Sequence, residues 1–388
     1  MPPITQTLAD LPPPAPDALA HSRRVVEHIR AAIREAGGAV PFSRYMDLAL
    51  YAPGLGYYSA GARKFGAAGD FITAPELSPL FSRCLARQCA EVLADVEQGS
   101  ILELGAGSGV MAADILLELQ CLDRLPAEYL ILEVSAELRE RQRQTLAAQA
   151  TALASRVRWL EALPDKFAGV ILGNEVLDAL PVERFRKSAS GHQEYCVKQE
   201  GEGFAWGLRP AGEQLSAILS AFETTLPAPL ANGYTSEICL GLMPLVSSLA
   251  ALLERGALLL MDYGYPRSAY YHRERSMGTL LCHYRQRAHE DPFLYPGLQD
   301  ITAHVDFTAV AEAGTSSGLE LAGYTTQAHF LMALGIAGLA GMDMRAVQQV
   351  KLLTLPEEVG ENFKAIGFAK GLNIPLSGFT LRDLSHSL

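Results

Sequence analysis

The amino-acid sequence predicts an α/β fold built on a mostly parallel sheet, on three observations. From Gly99 onward, short apolar runs of strand length alternate with segments of helical period. The first of those runs leads straight into a glycine turn, Gly105-Ala-Gly-Ser-Gly109. And 49% of the 388 residues are hydrophobic while 19% are charged, so a sizeable core can be buried. Repeated strand–helix units make neighbouring strands parallel, because each helix carries the chain back across the sheet.

Residues 1–20 read as a flexible, Pro-rich lead, with four prolines between Leu11 and Asp17. A helix is expected from near Ala20 to Glu35, with Val25, Val26, Ile29 and Ile33 on one side and Gly37-Gly38 ending it. Phe42–Tyr51 is a second short helix, and Pro79–Val96 a third. Between them lies a long loop of glycines and aromatics, Tyr51 to Thr73, of the kind that usually serves function. The strands of the main sheet are expected at Ile101–Leu104, Tyr129–Val134, Val157–Leu160, Gly169–Gly173 and Leu258–Met261, with helices at Val110–Leu119 and Ala136–Ala148. Arg184–Lys187, Glu194–Lys198 and Phe204–Leu208 alternate like antiparallel strands and suggest an inserted β-meander. The resulting division is a lead over 1–20, helices and a covering Gly-rich loop over 21–98, and a ligand-binding α/β domain over 99–325. That domain carries insertions near 184–235 and 265–305, and a helical segment over 326–388 follows it.

The net charge of −11 disfavours nucleic acid as a partner, since an acidic surface repels phosphate. The six cysteines are scattered without a Cys-x-x-Cys pair and read as free, buried thiols, and no cluster offers a full set of metal ligands. No Arg-rich or apolar leader is visible, and the longest apolar stretch, Phe330–Met342, is too short to span a bilayer. The expectation is a soluble, cytoplasmic protein.

The glycine turn sits between a strand and a helix, where such a turn binds a ligand at the carboxyl end of the sheet. Its glycines, Gly105, Gly107 and Gly109, are spaced Gly-x-Gly-x-Gly, unlike the Gly-x-Gly-x-x-Gly of dinucleotide folds. An acid, Glu103, precedes the turn, and a second acid, Glu133, ends the next strand. A cationic nucleoside such as S-adenosylmethionine suits this arrangement. Glu103 can attract its charged amino acid end, and Glu133 can accept hydrogen bonds from both ribose hydroxyls. A dinucleotide oxidoreductase is the competing reading that the spacing disfavours.

Further segments are Tyr51-Ala-Pro-Gly-Leu-Gly-Tyr-Tyr58, Gly69-Asp-Phe-Ile-Thr-Ala-Pro-Glu76, Gly173-Asn-Glu-Val-Leu-Asp-Ala-Leu-Pro181, Asp262-Tyr-Gly-Tyr265 and Pro296–Phe307. Together with the glycine turn they resemble the MidA family of class I methyltransferases over about Gly37 to Ala369. Mitochondrial members of that family methylate an arginine of a respiratory-complex subunit. The resemblance implies a class I methyltransferase, Rossmann-like, mostly parallel seven-stranded sheet with added N-terminal helical and inserted β and helical elements. It implies S-adenosyl-L-methionine as cofactor, S-adenosyl-L-homocysteine as product and a protein substrate.

On that resemblance, Asn174 and Glu175 stand where the fourth strand faces the transferring methyl group. Glu175 and Glu183, with Asp178 between them, are candidates to bind a guanidinium by charge-assisted hydrogen bonds. Asp70 could meet the cofactor's ammonium and Thr73 its carboxylate, with Arg63 and Lys64 on the same loop. In Asp262–Tyr265, Gly264 would allow an unusual backbone angle and the tyrosines could wall a channel. Gln299–Asp306 alternates like one strand, with Asp300, Thr302, His304 and Asp306 on its polar face. Three functions compete: arginine methylation of a partner protein, methylation of a small molecule, and cofactor binding by an assembly factor without turnover. Paired acids at the target pocket favour the first, while an apolar or aromatic pocket favours the second.

Overall fold

The protein is described here by a computed structural model covering residues 11–60, 73–355 and 360–388. The chain begins with α1 (Pro16–Glu35), β1 (Ala39–Pro41), α2 (Phe42–Tyr51), α3 (Ala74–Leu77) and α4 (Pro79–Asp95). The alternating part runs β2 (Ser100–Leu104), α5 (Val110–Cys121), β3 (Tyr129–Leu132), α6 (Ala136–Gln149), β4 (Val157–Leu160) and β5 (Phe167–Asn174). Then come β6 (Glu183–Ser188), β7 (Gly191–Glu200), β8 (Gly203–Pro210), α7 (Glu213–Glu223), β9 (Thr235–Ile238), α8 (Leu242–Leu252) and β10 (Leu253–Tyr265). The chain continues through α9 (Arg267–Tyr270), β11 (Leu281–Tyr284), β12 (Arg287–His289), β13 (Asp300–Thr302), β14 (Val305–Asp306) and α10 (Phe307–Ser316). It ends with β15 (Glu320–Thr326), α11 (Gln327–Ala333), α12 (Ile336–Ala340), α13 (Met344–Thr354) and β16 (Phe363–Lys370).

The main sheet has the order β15-β16-β10-β5-β2-β3-β4, with the short β14 added beside the end of β10. β2, β3, β4, β5 and β10 pair in parallel, and β16 runs antiparallel between β10 and β15. Strand order reverses between β2 and β5, which opens a crevice at their carboxyl ends. One face of the sheet packs under α4, α5 and the C-terminal helices around Ile101, Val170 and Phe330, the other under α8 and α10 around Ile171, Leu258 and Phe307.

Four expectations are corrected. The first helix starts at Pro16, inside the expected lead, because proline suits the first helical position and Asp17 favours the first turn. The segment after 326 is helical only as far as Thr354, and its β16 then inserts into the main sheet. Ile366 and Phe368 are fully buried there, so a short alternating run is fixed by neighbours on both sides. The expected strand Gln299–Asp306 is split at Ala303–His304 between the small sheet β12-β11-β13 and the main sheet, and both of its faces are buried. Cys121 is exposed at the end of α5, while the other five cysteines are buried or half-buried, and all six are free.

The meander expected over 184–208 forms as β6, β7 and β8, but it gains β9 from downstream and β1 from the N-terminal region. This second sheet packs on α1 and α2 through Phe42, Val182, Val197 and Phe204. Among the described residues no helix is long and apolar enough to cross a membrane.

Candidate active site

The crevice between β2 and β5 holds a cavity of about 350 Å³ lined by residues from several places in the chain. Glu103, Leu104, Gly105, Ala106, Gly107 and Ser108 come from the glycine turn, and Leu132, Glu133 and Val134 from the end of β3. Asn174, Glu175 and Val176 come from the end of β5, Thr73, Pro75 and Glu76 from the start of α3, Tyr51 from the end of α2, Tyr58 from the segment after it, and Leu245 from α8.

The turn is tight because Gly105, Gly107 and Gly109 have φ of 62°, 52° and 84°, a region a β-carbon disfavours. Gly105 and Gly107 face the cavity, but Gly109 does not. A β-carbon on Gly109 would lie 3.0 Å from the Cα of Gln142, so this glycine serves the close approach of α5 and α6 and not the ligand. Gln142 carries no signal in the sequence. It is fully buried and donates to the carbonyl of Gly107 and to Oε2 of Glu133, both at 3.1 Å, while its oxygen accepts from Trp159 Nε1 at 2.8 Å. The amide of Ser135 donates to the other oxygen of Glu133 at 2.9 Å. Glu133 is thus fixed as an acceptor at the rim. Glu103 is buried and accepts from the hydroxyl of Tyr129 at 2.6 Å. Burial pushes its carboxyl up to about 7, an effect the Tyr129 hydrogen bond opposes and the nearby Glu133 reinforces. A cation arriving at Glu103 would reverse that shift.

Glu175 follows the last residue of β5 with φ of 52°, a left-handed conformation uncommon outside glycine. Its amide donates to the carbonyl of Met261 at 2.8 Å, and the side-chain amide of Asn174 and the backbone amide of Ala74 donate to its carboxylate. Asp262 holds the next turn. Fully buried at the end of β10, its Oδ2 accepts from the amides of Val176, Leu177 and Asp178 at 3.1, 2.8 and 3.2 Å. Burial, with the charges of Asp178 and Asp300, pushes Glu175 up to about 8, against the hydrogen bonds from Asn174 and Ala74. Tyr51 and Tyr58 stack beside it with centroids 5.5 Å apart. Their hydroxyls are tied down, to the carbonyl of Ala179 in the cavity wall and to Asp300, each at 2.9 Å.

Two of the three candidate acids do not stand at this cavity. Asp178 lies buried behind the wall, where it accepts from the Tyr263 hydroxyl, because its turn points the side chain toward β10. Glu183 starts β6 in the second sheet and accepts from the Ser43 hydroxyl of α2 at 2.5 Å, because Pro181 and Val182 lead the chain away from the crevice. Gly264 has no unusual backbone angle. A β-carbon there would sit 2.1 Å from the carbonyl oxygen of Val305, so glycine is required by the β10–β14 pairing. Thr73 and Asn174 do line the cavity. Asp70, Arg63 and Lys64 lie outside the described residues. Tyr51, Tyr58, Glu76 and Gln142 were not singled out as site residues. The first three fall in the family segments, which is the signal that could have found them.

A family model for S-adenosyl-L-methionine-dependent methyltransferases matches residues 84–325. The chain belongs to that family. A protein from Burkholderia thailandensis, solved with S-adenosyl-homocysteine bound, is 47% identical to this methyltransferase with a TM-score of 0.93, over 98% of this chain and 100% of that one. A native structure of a protein from the same organism is 46% identical with a TM-score of 0.91, over 98% of this chain and 100% of that one. Among curated relatives, the mitochondrial protein arginine methyltransferase NDUFAF7 of Danio rerio is 28% identical over 92% of this chain and 93% of its own. The Homo sapiens protein of that name is 26% identical over 87% of this chain and 82% of its own. The cofactor is S-adenosyl-L-methionine, and the cavity fits it. The cavity offers acceptor carboxylates, Glu103 and Glu133, for a cationic amino acid end and for ribose hydroxyls, and a glycine backbone that leaves room for a ligand. Asn174 adds a side-chain oxygen without a partner among the described residues.

Proposed function

We propose that this methyltransferase modifies an arginine side chain of a partner protein, and that Glu175 holds the guanidinium. The carrying observation is the buried carboxylate of Glu175 at the β5 end of the cofactor cavity, held up at about 8 by burial and by its acidic neighbours Asp178 and Asp300. Among the described lining residues there is no positive charge, and a guanidinium supplies one. The names of the curated relatives support the same reading. Glu133 would take the ribose hydroxyls, while Glu103 and the Asn174 oxygen would take the ammonium. Gly105 and Gly107 would let the backbone approach, and Thr73 and Asp70 would meet the amino acid end.

S-adenosylmethionine supplies an electrophilic methyl group on a sulfonium that leaves readily. The protein therefore has to align and dry the acceptor rather than supply a strong base. Glu175 draws the guanidinium charge onto the nitrogens it binds and leaves the attacking nitrogen with its lone pair. That nitrogen forms the new N–C bond as the S–C bond breaks and neutral S-adenosylhomocysteine leaves, and its surplus proton passes to water. The flat stack of Tyr51 and Tyr58 forms an aromatic wall next to the cation. Asp178 acts from behind the wall through Tyr263 as a positioning residue.

The test is Glu175→Gln, which keeps shape and removes charge. Adenosylhomocysteine affinity by calorimetry should stay within a few-fold of wild type. Tritium transfer from labelled adenosylmethionine into protein of a deletion-strain lysate should fall roughly a hundredfold. Hydrolysis of the labelled wild-type product should yield methylarginine. Label in a small molecule would replace this reading with the small-molecule one, and no label at all would favour a cofactor-binding assembly factor.

A further inference from the structure

A second cavity, of about 680 Å³, opens on the other side of the wall that carries Glu175. The two cavities share their partition. In the turn after β5, Val176 lines the cofactor cavity and the next residue, Leu177, lines the second one. Along α8, Leu245 faces the cofactor cavity while Met243 and Ser247 face the other. The second cavity is walled by Ile218 and Phe222 of α7 and by Tyr271 after α9. Leu240 and Met243 line it as well, and are 38% and 53% exposed, unusual for large apolar side chains.

Its charged residues restrict what can enter. Three carboxylates, Glu237, Asp306 and Glu312, line it against a single guanidinium, Arg267. Arg267 is already paired with Asp306 at 3.2 Å and with Glu312. Among the described lining residues no cation is left to receive an acidic head group, so a fatty acid or acyl phosphate is a poor occupant. An apolar side chain on a neutral or basic peptide suits this lining, in which the third carboxylate, Glu237, is held by Arg184 at 3.4 Å and the excess charge is negative.

We propose that this cavity seats an apolar side chain of the acceptor protein, a few residues from the arginine presented to Glu175. The proposal rests on the arginine reading above. It turns the shared wall into a two-point gauge: one side chain enters the cofactor cavity, its apolar neighbour enters the second, and the register of the substrate on the enzyme is set. Binding energy gained away from the reacting nitrogen then serves its alignment.

The experiment uses the full-length enzyme, adenosylmethionine and a peptide library with one fixed arginine and randomised flanks, with methylated peptides identified by mass spectrometry. Wild type should enrich Leu, Ile, Met or Phe about tenfold or more at one fixed offset from the arginine, the discrimination a good apolar pocket provides. Met243→Asp and Ile218→Asp should each abolish the enrichment while leaving adenosylhomocysteine affinity unchanged. Met342→Asp, at a 97% exposed position outside the cavity, should keep it. Methylation without an apolar preference, or a preference that survives both cavity variants, overturns the proposal and leaves the arginine reading intact. If no peptide is methylated, the lysate decides. Methylarginine formed equally well by both cavity variants overturns the cavity proposal alone, and label found only in a small molecule overturns both.

Discussion

Glu175 concentrates the chemistry of the site into one residue. Its left-handed backbone turns the carboxylate into a cavity where burial and neighbouring acids favour the neutral form. An acid whose pKa is raised by folding, here from 4.5 to about 8, keeps its proton in the native state after the unfolded chain has lost it. Stability therefore falls as pH rises from about 4.5 to about 8, and the native state gains from this group only below that window. Glu175→Gln removes the titration, so the variant should melt higher than wild type at pH 8 and close to it at pH 5. Thermal scans of the ligand-free proteins across that range check this, and parallel curves for the two would refute it. Glu103 and Glu133 were readable in the sequence because each stands at a strand end at a fixed distance from the glycine turn. Gln142 was not, since its partners are 9 to 35 positions away and only packing brings them together. Tyr51 and Tyr58 fall in a readable segment, but their partners, 128 and 242 positions away, do not follow from any spacing.

At the scale of elements, the site depends on how the ends of β5, β10 and β14 are locked. Asp262 collects three successive amides of the turn after β5, and Gly264 lets β14 pair against β10 without a side chain between them. The motif Asp262–Tyr265 looked like part of a substrate channel. In the structure its aspartate and glycine hold the backbone, and Tyr263 reaches back to Asp178. Gly264→Ala forces a methyl group against the Val305 backbone, and overpacking of this kind costs about 1–3 kcal/mol. Its urea midpoint should fall accordingly with an unchanged slope, and an unaltered midpoint would mean that β14 can shift freely.

For the whole molecule, the deciding feature is that the main sheet is completed from beyond the alternating region. β16 pairs along its whole length with Gly256–Tyr263 of β10 on one side and runs along β15 on the other, and its inward side chains enter the cores of both sheet faces. A chain ending at Leu355 lacks that strand, leaves β10 and β15 with open edges and exposes Ile366's and Phe368's former contacts. Such a chain should show no cooperative thermal transition, and adenosylhomocysteine should not protect it. A sharp, ligand-sensitive transition in the truncated protein would show that the rest of the chain folds without β16.

The sequence by itself determined the α/β class, the parallel strand–helix run, the glycine turn and its two acids, and the meander near 184–208. All of these are written in periods and spacings of a few residues, which local sterics and hydrophobic burial enforce wherever the segment lies. Only the tertiary structure decided that β1 joins β7, that β16 divides β10 from β15, and that Glu175 stands at the cavity while Asp178 and Glu183 do not. The three acids are within nine positions of one another, and nothing in their spacing separates them. What separates them is the direction each side chain takes once Asp262 and the second sheet have fixed the backbone between them, a contact across some 85 residues that no local pattern encodes.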